Sequence, residues 1–170
     1  ALNRNKANGT IGNDPISQRD INKVLELTQG IALPPDRDIL HTIPQEFIVD
    51  TLEKIDNPIG LSGRRLEGHV HLVTASTSGM DNLIESAEEL GININGLVFK
   101  PLASAIPTLT KDEMKLGVSL IDIGSTTTSI AVFNEGAVRH SAVIPVGSSS
   151  ITNDIAVMLR ISIEEAEKIK

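Results

Sequence analysis

From Leu66 to Thr74 the side chains alternate, with Leu66, Val70 and Leu72 set against Glu67, His69 and His71. A period of two predicts a half-buried strand, and such a strand has to lie in a sheet whose apolar face something covers.

The neighbouring segments supply the cover. Ser17 followed by Asp20 is an N-cap signature, and Ile21, Val24, Leu25 and Thr28 then recur at i, i+3, i+4 and i+7, the stripe of an amphipathic helix ending near Gly30. Leu33-Pro34-Pro35-Asp36 is a breaker, after which Ile39 to Val49 reads as a strand interrupted near Pro44, because proline has no N–H for a ladder. Asn57-Pro58 and Ser62-Gly63 mark the next turn region. Met80, Leu83, Ile84 and Ala87 form a second helical stripe closing at Gly91, a left-handed C-cap position. Strands and helices in this order predict a compact α+β unit.

From Ile94 the pattern changes. A short strand to Phe99, a helix from Pro101, a polar link over Lys111–Lys115 and apolar strands over 116–123 and 129–134 are expected. A third strand, Ala137–Ile144, follows the turn Asn134-Glu135-Gly136. Terminal helices are expected over 148–159 and from the Ser162 cap, whose box partner is Glu165. Residues 1–15, rich in Asn and Gly with little periodicity, predict a mobile arm or a connection severed from a larger protein.

The 170 residues include no cysteine, tryptophan or tyrosine, so the cores must rest on Ile, Leu, Val and Ala around Phe47, Phe99 and Phe133. A disulfide framework and thiol catalysis are excluded. The formal net charge of −7 argues against a nucleic-acid-binding surface, since phosphate contacts need clustered Lys and Arg. No apolar run approaches the ~20 residues of a membrane-spanning helix, and the first residues lack the pattern of a signal peptide. A soluble, cytoplasmic segment is the expectation.

The densest chemical signal is Leu120-Ile121-Asp122-Ile123-Gly124-Ser125-Thr126-Thr127-Thr128, in which an apolar strand ends in a carboxylate, a glycine and a run of hydroxyls. A turn of this kind can aim backbone N–H groups at phosphate oxygens, with threonine hydroxyls as further donors and Asp122 able to hold Mg²⁺ through water. Gly124 permits close backbone approach. The same residues also suit an ordinary hairpin turn, and spacing alone does not separate the two readings.

Asp122-Ile123-Gly124 followed by hydroxyls between two strands resembles the second phosphate loop of the actin, heat-shock chaperone and sugar-kinase ATPases. Two upstream stretches narrow the resemblance to the FtsA family: Ile39-Leu40-His41-Thr42-Ile43-Pro44-Gln45-Glu46-Phe47-Ile48-Val49-Asp50, and Asn57-Pro58-Ile59-Gly60-Leu61-Ser62-Gly63-Arg64-Arg65-Leu66-Glu67. Pro101-Leu102-Ala103-Ser104-Ala105, the Arg139–Gly147 stretch, Asn153-Asp154-Ile155-Ala156 and Glu164–Lys170 follow in the family's order.

The resemblance implies an α/β fold: an α+β insertion subdomain of SHS2 type plus part of an actin-like, ribonuclease-H-type ATPase core. Its divisions would be an arm over 1–15, the insertion over 16–97, a helix and link over 98–115, and the start of the second actin-like subdomain over 116–170. It further implies a cell-division scaffold that binds ATP with Mg²⁺, polymerises, links FtsZ to the cytoplasmic face of the membrane at the division site, and recruits later division proteins. The insertion would contact those proteins and neighbouring FtsA subunits. FtsZ contact and membrane attachment would use a subdomain and an amphipathic helix outside these residues, as would the first phosphate loop. This stretch alone is not expected to form a complete nucleotide site.

By the same resemblance Asp122, Gly124, Ser125, Thr126 and Thr127 would approach the phosphates, and Glu167 and Lys170 the ribose and adenine. The pair also suits a plain surface ion pair at i, i+3. Relatives usually carry glycines at the positions of Ser125 and Thr126 and an Asp at that of Ser129, so this loop is bulkier than most. Lys100 falls where many of these ATPases place a Glu or Gln that orients the attacking water, and a charged lysine accepts no proton. ATP would then set conformation and assembly with weak hydrolysis or none. An actively hydrolysing ATPase of the superfamily and a pilus-assembly actin homologue are the alternatives.

Three further groupings each have an ordinary alternative. His69 and His71 can present two imidazoles on one strand face but have no third ligand near in sequence, so a solvent-facing pair is expected. Ser104, His140 and Asp154 make a nominal hydrolase set without a nucleophile elbow. Arg37, Arg64 and Arg65 are candidates for a basic patch on the insertion, or simply for solubility.

Overall fold

The computed structural model describes residues 2–11 and 14–170 and arranges them as two antiparallel sheets with helices beside each. The first sheet has the order β1-β4-β2-β3, from β1 (Leu2–Thr10), β2 (Arg37–Val49), β3 (Leu52–Ile55) and β4 (Arg65–Ser76). The second has the order β5-β6-β7, from β5 (Val118–Ile123), β6 (Thr128–Asn134) and β7 (Ala137–Ile144). Helices α1 (Gln18–Thr28) and α2 (Thr77–Glu88) belong with the first sheet. Helices α3 (Lys100–Thr108), α4 (Lys111–Leu116), α5 (Ser148–Leu159) and α6 (Ile163–Ile169) follow in the second half. The expected mixture of an α+β unit and a following sheet-and-helix unit is what is found.

Local rules explain most boundaries. Ser17 and Asp20 cap the start of α1 as expected, the Ser17 N–H donating to Asp20 Oδ2 at 2.9 Å. Pro44 sits in the long strand at a register shift between Pro44 and Glu46, which is how a residue without an N–H is tolerated beside a ladder. The first core gathers Ile11, Ile16, Ile21, Val24, Phe47, Val49 and Leu66 between α1 and one face of the sheet. The second gathers Ala105, Leu120, Ala131, Phe133 and Val138, with Ile43 of β2 packed against it.

Several expectations are corrected. Ala1, Gly12 and Asn13 of the expected arm lie outside the described residues, and Leu2–Thr10 is a strand paired along its length with β4. Backbone ladders need no apolar pattern, so Asn, Lys and Gly are accepted there. Residues 92–99 join no sheet. The polar 111–115 link is helix α4, opened by Thr110 and Glu113 as a capping box. The stripe on α2 is shallow, with no buried residue and Leu83 58% exposed.

The most consequential correction concerns β4, which is covered on both faces. Leu66, Val70 and Leu72 are fully buried, but Glu67 and His71 are buried as well. The second face meets β7: His71 Nε2 lies 2.7 Å from Ser141 Oγ, and Gln45 Nε2 donates to the Val138 carbonyl at 2.5 Å. Lys54 pairs with Glu135 at 2.9 Å, and Arg139 reaches both Glu46 and Glu135. His69 is held between Glu46 at 2.9 Å and Glu67 at 2.8 Å. The two histidines therefore share a face, as expected, but it is an interface and not a solvent-facing surface. A polar face satisfied by polar partners alternates just as a solvated one does.

His41 fastens the start of the second half. The Phe99 N–H donates to His41 Nε2 at 2.9 Å, so that nitrogen must be unprotonated. Burial pushes the imidazole pKa below its ordinary value. A depressed folded pKa means stability that is full above the ordinary value of about 6.5 and is lost as pH falls through the folded value. Urea midpoints across that window are expected to fall with pH, and His41→Gln, whose amide oxygen accepts the same N–H without titrating, is expected to flatten the slope. An unchanged slope would remove His41 from the account.

Candidate functional site

The hairpin between β5 and β6 closes where the Gly124 N–H donates to the Thr127 carbonyl at 2.9 Å. The loop is seated on the start of α5. Ser148 N–H donates to the Gly124 carbonyl and Ser149 N–H to the Ser125 carbonyl, each at 2.9 Å. Ser149 Oγ adds a bond to the Ser125 carbonyl at 2.7 Å, and Thr128 Oγ1 donates to the Val146 carbonyl at 2.8 Å. Loop carbonyls thus satisfy two of the orphan donors of the α5 N-terminus. With those carbonyls turned to the helix, Ser125 and Thr126 stand exposed at the tip, and their N–H groups have no backbone acceptor among the described residues. A loop fixed from behind, with free donors in front, can receive an anion.

Asp122, at the end of β5, is gripped from α3. Lys100 Nζ lies 2.7 Å from Asp122 Oδ1, and Ser104 Oγ donates to Oδ2 at 2.7 Å. The Lys100 bond first, then that from Ser104, holds the Asp122 carboxyl below the usual carboxylate range. A Cβ placed on Gly124 would lie 3.2 Å from Lys100 Nζ and 3.0 Å from the Thr127 carbonyl. The ammonium therefore lies against the loop as well as on the carboxylate. As arranged, Asp122 fits a hydrated Mg²⁺ poorly, because the Lys100 ammonium already sits on Oδ1 at 2.7 Å and repels a second cation there.

Glu167 and Lys170 come together one step behind the loop. Lys170 Nζ lies 3.0 Å from Glu167 Oε1, 3.1 Å from Thr152 Oγ1 and 3.3 Å from the Ser148 carbonyl. Thr152 Oγ1 donates to Glu167 Oε2, and this bond leads the effects that lower the Glu167 carboxyl pKa. Both side chains brace the first turn of α5, whose Ser148 N–H holds the loop.

Other candidates separate. Ser104 gives its hydroxyl to Asp122, and among the described residues neither His140 nor Asp154 bonds to it, so no hydrolase triad forms. Arg37 lies opposite Ser76 at one end of β4, while Arg65 begins that strand eleven residues earlier, roughly 35 Å away at the usual strand rise. Arg37 is bound to Thr74 and Arg65 to Glu67, so with Arg64 they do not make one basic patch. Sequence reasoning missed the contribution of Gly147 and Ser149, which form the seat of the loop. Gly147 ends the Arg139–Gly147 stretch, but only the fold shows what it faces.

Comparison with known proteins follows the same division. Residues 2–74 match the family described as the SHS2 domain inserted in FTSA, and residues 119–170 match the family described as cell division protein FtsA. The cell division protein FtsA of Pseudomonas aeruginosa is 43% identical over 155 residues, covering 91% of this chain and 37% of the relative. That of Escherichia coli K12 is 38% identical over 160 residues, covering 94% of this chain and 38% of the relative. A solved chain of a PilM-PilN type IV pilus biogenesis complex superposes with a TM-score of 0.64 at 16% identity, covering 100% of this chain and 47% of that one. At that identity the likeness is one of fold alone. The chain spans little more than a third of the length of these curated relatives. With the SHS2 domain of FtsA matched in its first half, cell division protein FtsA matched in its second, and about two residues in five identical to each relative, this chain belongs to the FtsA family of bacterial cell-division proteins.

Proposed function

We propose that the full-length protein is a division scaffold whose conformation and assembly are set by ATP, and that loop 124–127 receives part of the triphosphate. The observation behind this reading is the seating of the loop on α5, which leaves the Ser125 and Thr126 donors facing outward beside Lys100. Gly124 gives the close approach, Thr126 and Thr127 supply hydroxyls, and Glu167 with Lys170 stiffens the turn beneath. The first sheet offers the surface for later division proteins and for neighbouring subunits. FtsZ binding and attachment to the cytoplasmic face of the membrane belong to the remaining length of the protein. Among the described residues no helix is long and apolar enough to cross a membrane.

Scaffold is preferred to active ATPase because of Lys100. An ammonium held on Asp122 at 2.7 Å cannot take a proton from an attacking water. Titration of the full-length protein with a fluorescent ATP analogue, followed by phosphate release, tests both halves. Saturable binding with very slow release is expected. Absence of binding overturns the nucleotide part, and release at roughly 1 s⁻¹ or faster, as in ordinary phosphoryl-transfer enzymes, overturns the scaffold part.

A further inference from the structure

Lys100 is the first residue of α3, a position where the helix dipole disfavours positive charge by about 0.3–1 kcal/mol. The structure offsets that cost by placing the ammonium on Asp122 Oδ1 at 2.7 Å, with Ser104 fixing the other carboxylate oxygen at 2.7 Å. The ammonium is not sealed in by this pairing, since the Lys100 side chain is 53% exposed while that of Asp122 is 18% exposed. It also lies against Gly124, within 3.2 Å of where a Cβ there would stand. One cation thus sits on the carboxylate at the strand end and beside Gly124, in the loop proposed to receive phosphates.

A bound divalent cation at such a place is held by the carboxylate and neutralises phosphate charge. A lysine ammonium is a compact point charge with three donors. With one donor on Asp122, two remain for phosphate oxygens, and the repulsion between Asp122 and a phosphate is relieved without a metal. The ammonium on Oδ1 meanwhile repels a second cation at the same carboxylate, which disfavours a hydrated metal.

We infer that Lys100 stands in for the divalent cation, bridging Asp122 and a nucleotide phosphate, so that the full-length protein binds ATP with little dependence on Mg²⁺. This rests on the reading of loop 124–127 as a phosphate site. Its consequence is a nucleotide that is held firmly and sits beside an internal lysine in place of a metal and a water-orienting carboxylate.

The test is a titration of the full-length protein with a fluorescent ATP analogue, in excess Mg²⁺ and again in excess EDTA, for the wild type and for Lys100→Gln. Wild-type affinity is expected to differ by less than about threefold between the two conditions, a difference of well under 1.4 kcal/mol. Lys100→Gln is expected to lose at least about tenfold in EDTA and to recover much of it in Mg²⁺, which a misfolded variant would not do. Wild-type binding that collapses in EDTA overturns the inference and leaves the nucleotide reading standing, whether or not the variant folds. Lys100→Gln binding as well as wild type in EDTA also overturns it. No wild-type binding in either condition overturns the nucleotide reading itself and the inference with it.

Discussion

Leu66→Ala is expected to lower the unfolding free energy of this chain by about 2–5 kcal/mol. Leu66 is fully buried on β4, which is paired on both sides, with Gly9 of β1 and Val49 of β2 directly opposite it. It belongs to the same core as Ile11, Ile16, Ile21, Val24, Phe47 and Val49. Removing three carbons there leaves a void that two hydrogen-bonded neighbours cannot close in on, which places the cost above the simple transfer term. Urea unfolding followed by circular dichroism reads the change. Leu83→Ala is the comparison, since Leu83 is 58% exposed on the shallow face of α2 and is expected to stay within about 0.5 kcal/mol of wild type. A Leu66 variant as mild as the Leu83 one would mean that the first core does not close on β4.

The same contrast shows what periodicity reveals and what it hides. The stripes of α1 and α2 were both legible, because i, i+3, i+4 spacing is a local property. Only α1 has its stripe against a deep core, with Ile21, Val24 and Thr28 buried and α2 without a buried residue. The difference depends on what lies opposite, which no local pattern records. The strand at 2–10 was illegible for a related reason: its partner lies some sixty residues away in sequence and the pairing runs through backbone groups. Helix α4 is a different miss. Thr110 and Glu113 form a capping box that stood in the sequence, and the polar composition of Lys111–Lys115 obscured it.

In the site, the carboxylate, glycine and hydroxyls of 122–128 were legible as one unit because they are contiguous. Lys100 was legible as a lysine at the usual water-orienting position, but its partner was not. That it pairs with Asp122 depends on α3 packing against β5 and β6, which brings together residues twenty-two apart. Similarly, Glu167 and Lys170 were legible as a pair at i, i+3, whereas their bonds to Thr152 and the Ser148 carbonyl require α6 to lie on α5. Their part in the site is indirect, through the turn that seats the loop.

That seat supplies the second large expectation, at Gly147. Its φ is −147°, extended backbone open to any residue, so glycine is not required there by conformation. It is required by closeness. A Cβ at this position would lie 2.3 Å from the Ser125 carbonyl oxygen and 2.5 Å from that of Gly124. Both are backbone atoms engaged by Ser148 and Ser149, and neither can swing aside as a flexible side chain would. Gly147→Ala is therefore expected to lose about 1–3 kcal/mol of stability through overpacking and to prise loop 124–127 off the first turn of α5. In the full-length protein the affinity for a fluorescent ATP analogue should fall by at least about tenfold, the equivalent of ~1.4 kcal/mol. Gly96→Ala is the matched control, since nothing lies within 4 Å of a Cβ there, and it should change stability by no more than about 0.5 kcal/mol. If both losses occur, the loop acts on phosphates only while α5 holds its carbonyls turned away. If stability falls and affinity does not, the seat is structural and the phosphate contacts lie elsewhere in the protein. A Gly147 variant indistinguishable from the Gly96 one would show that loop and helix do not approach this closely.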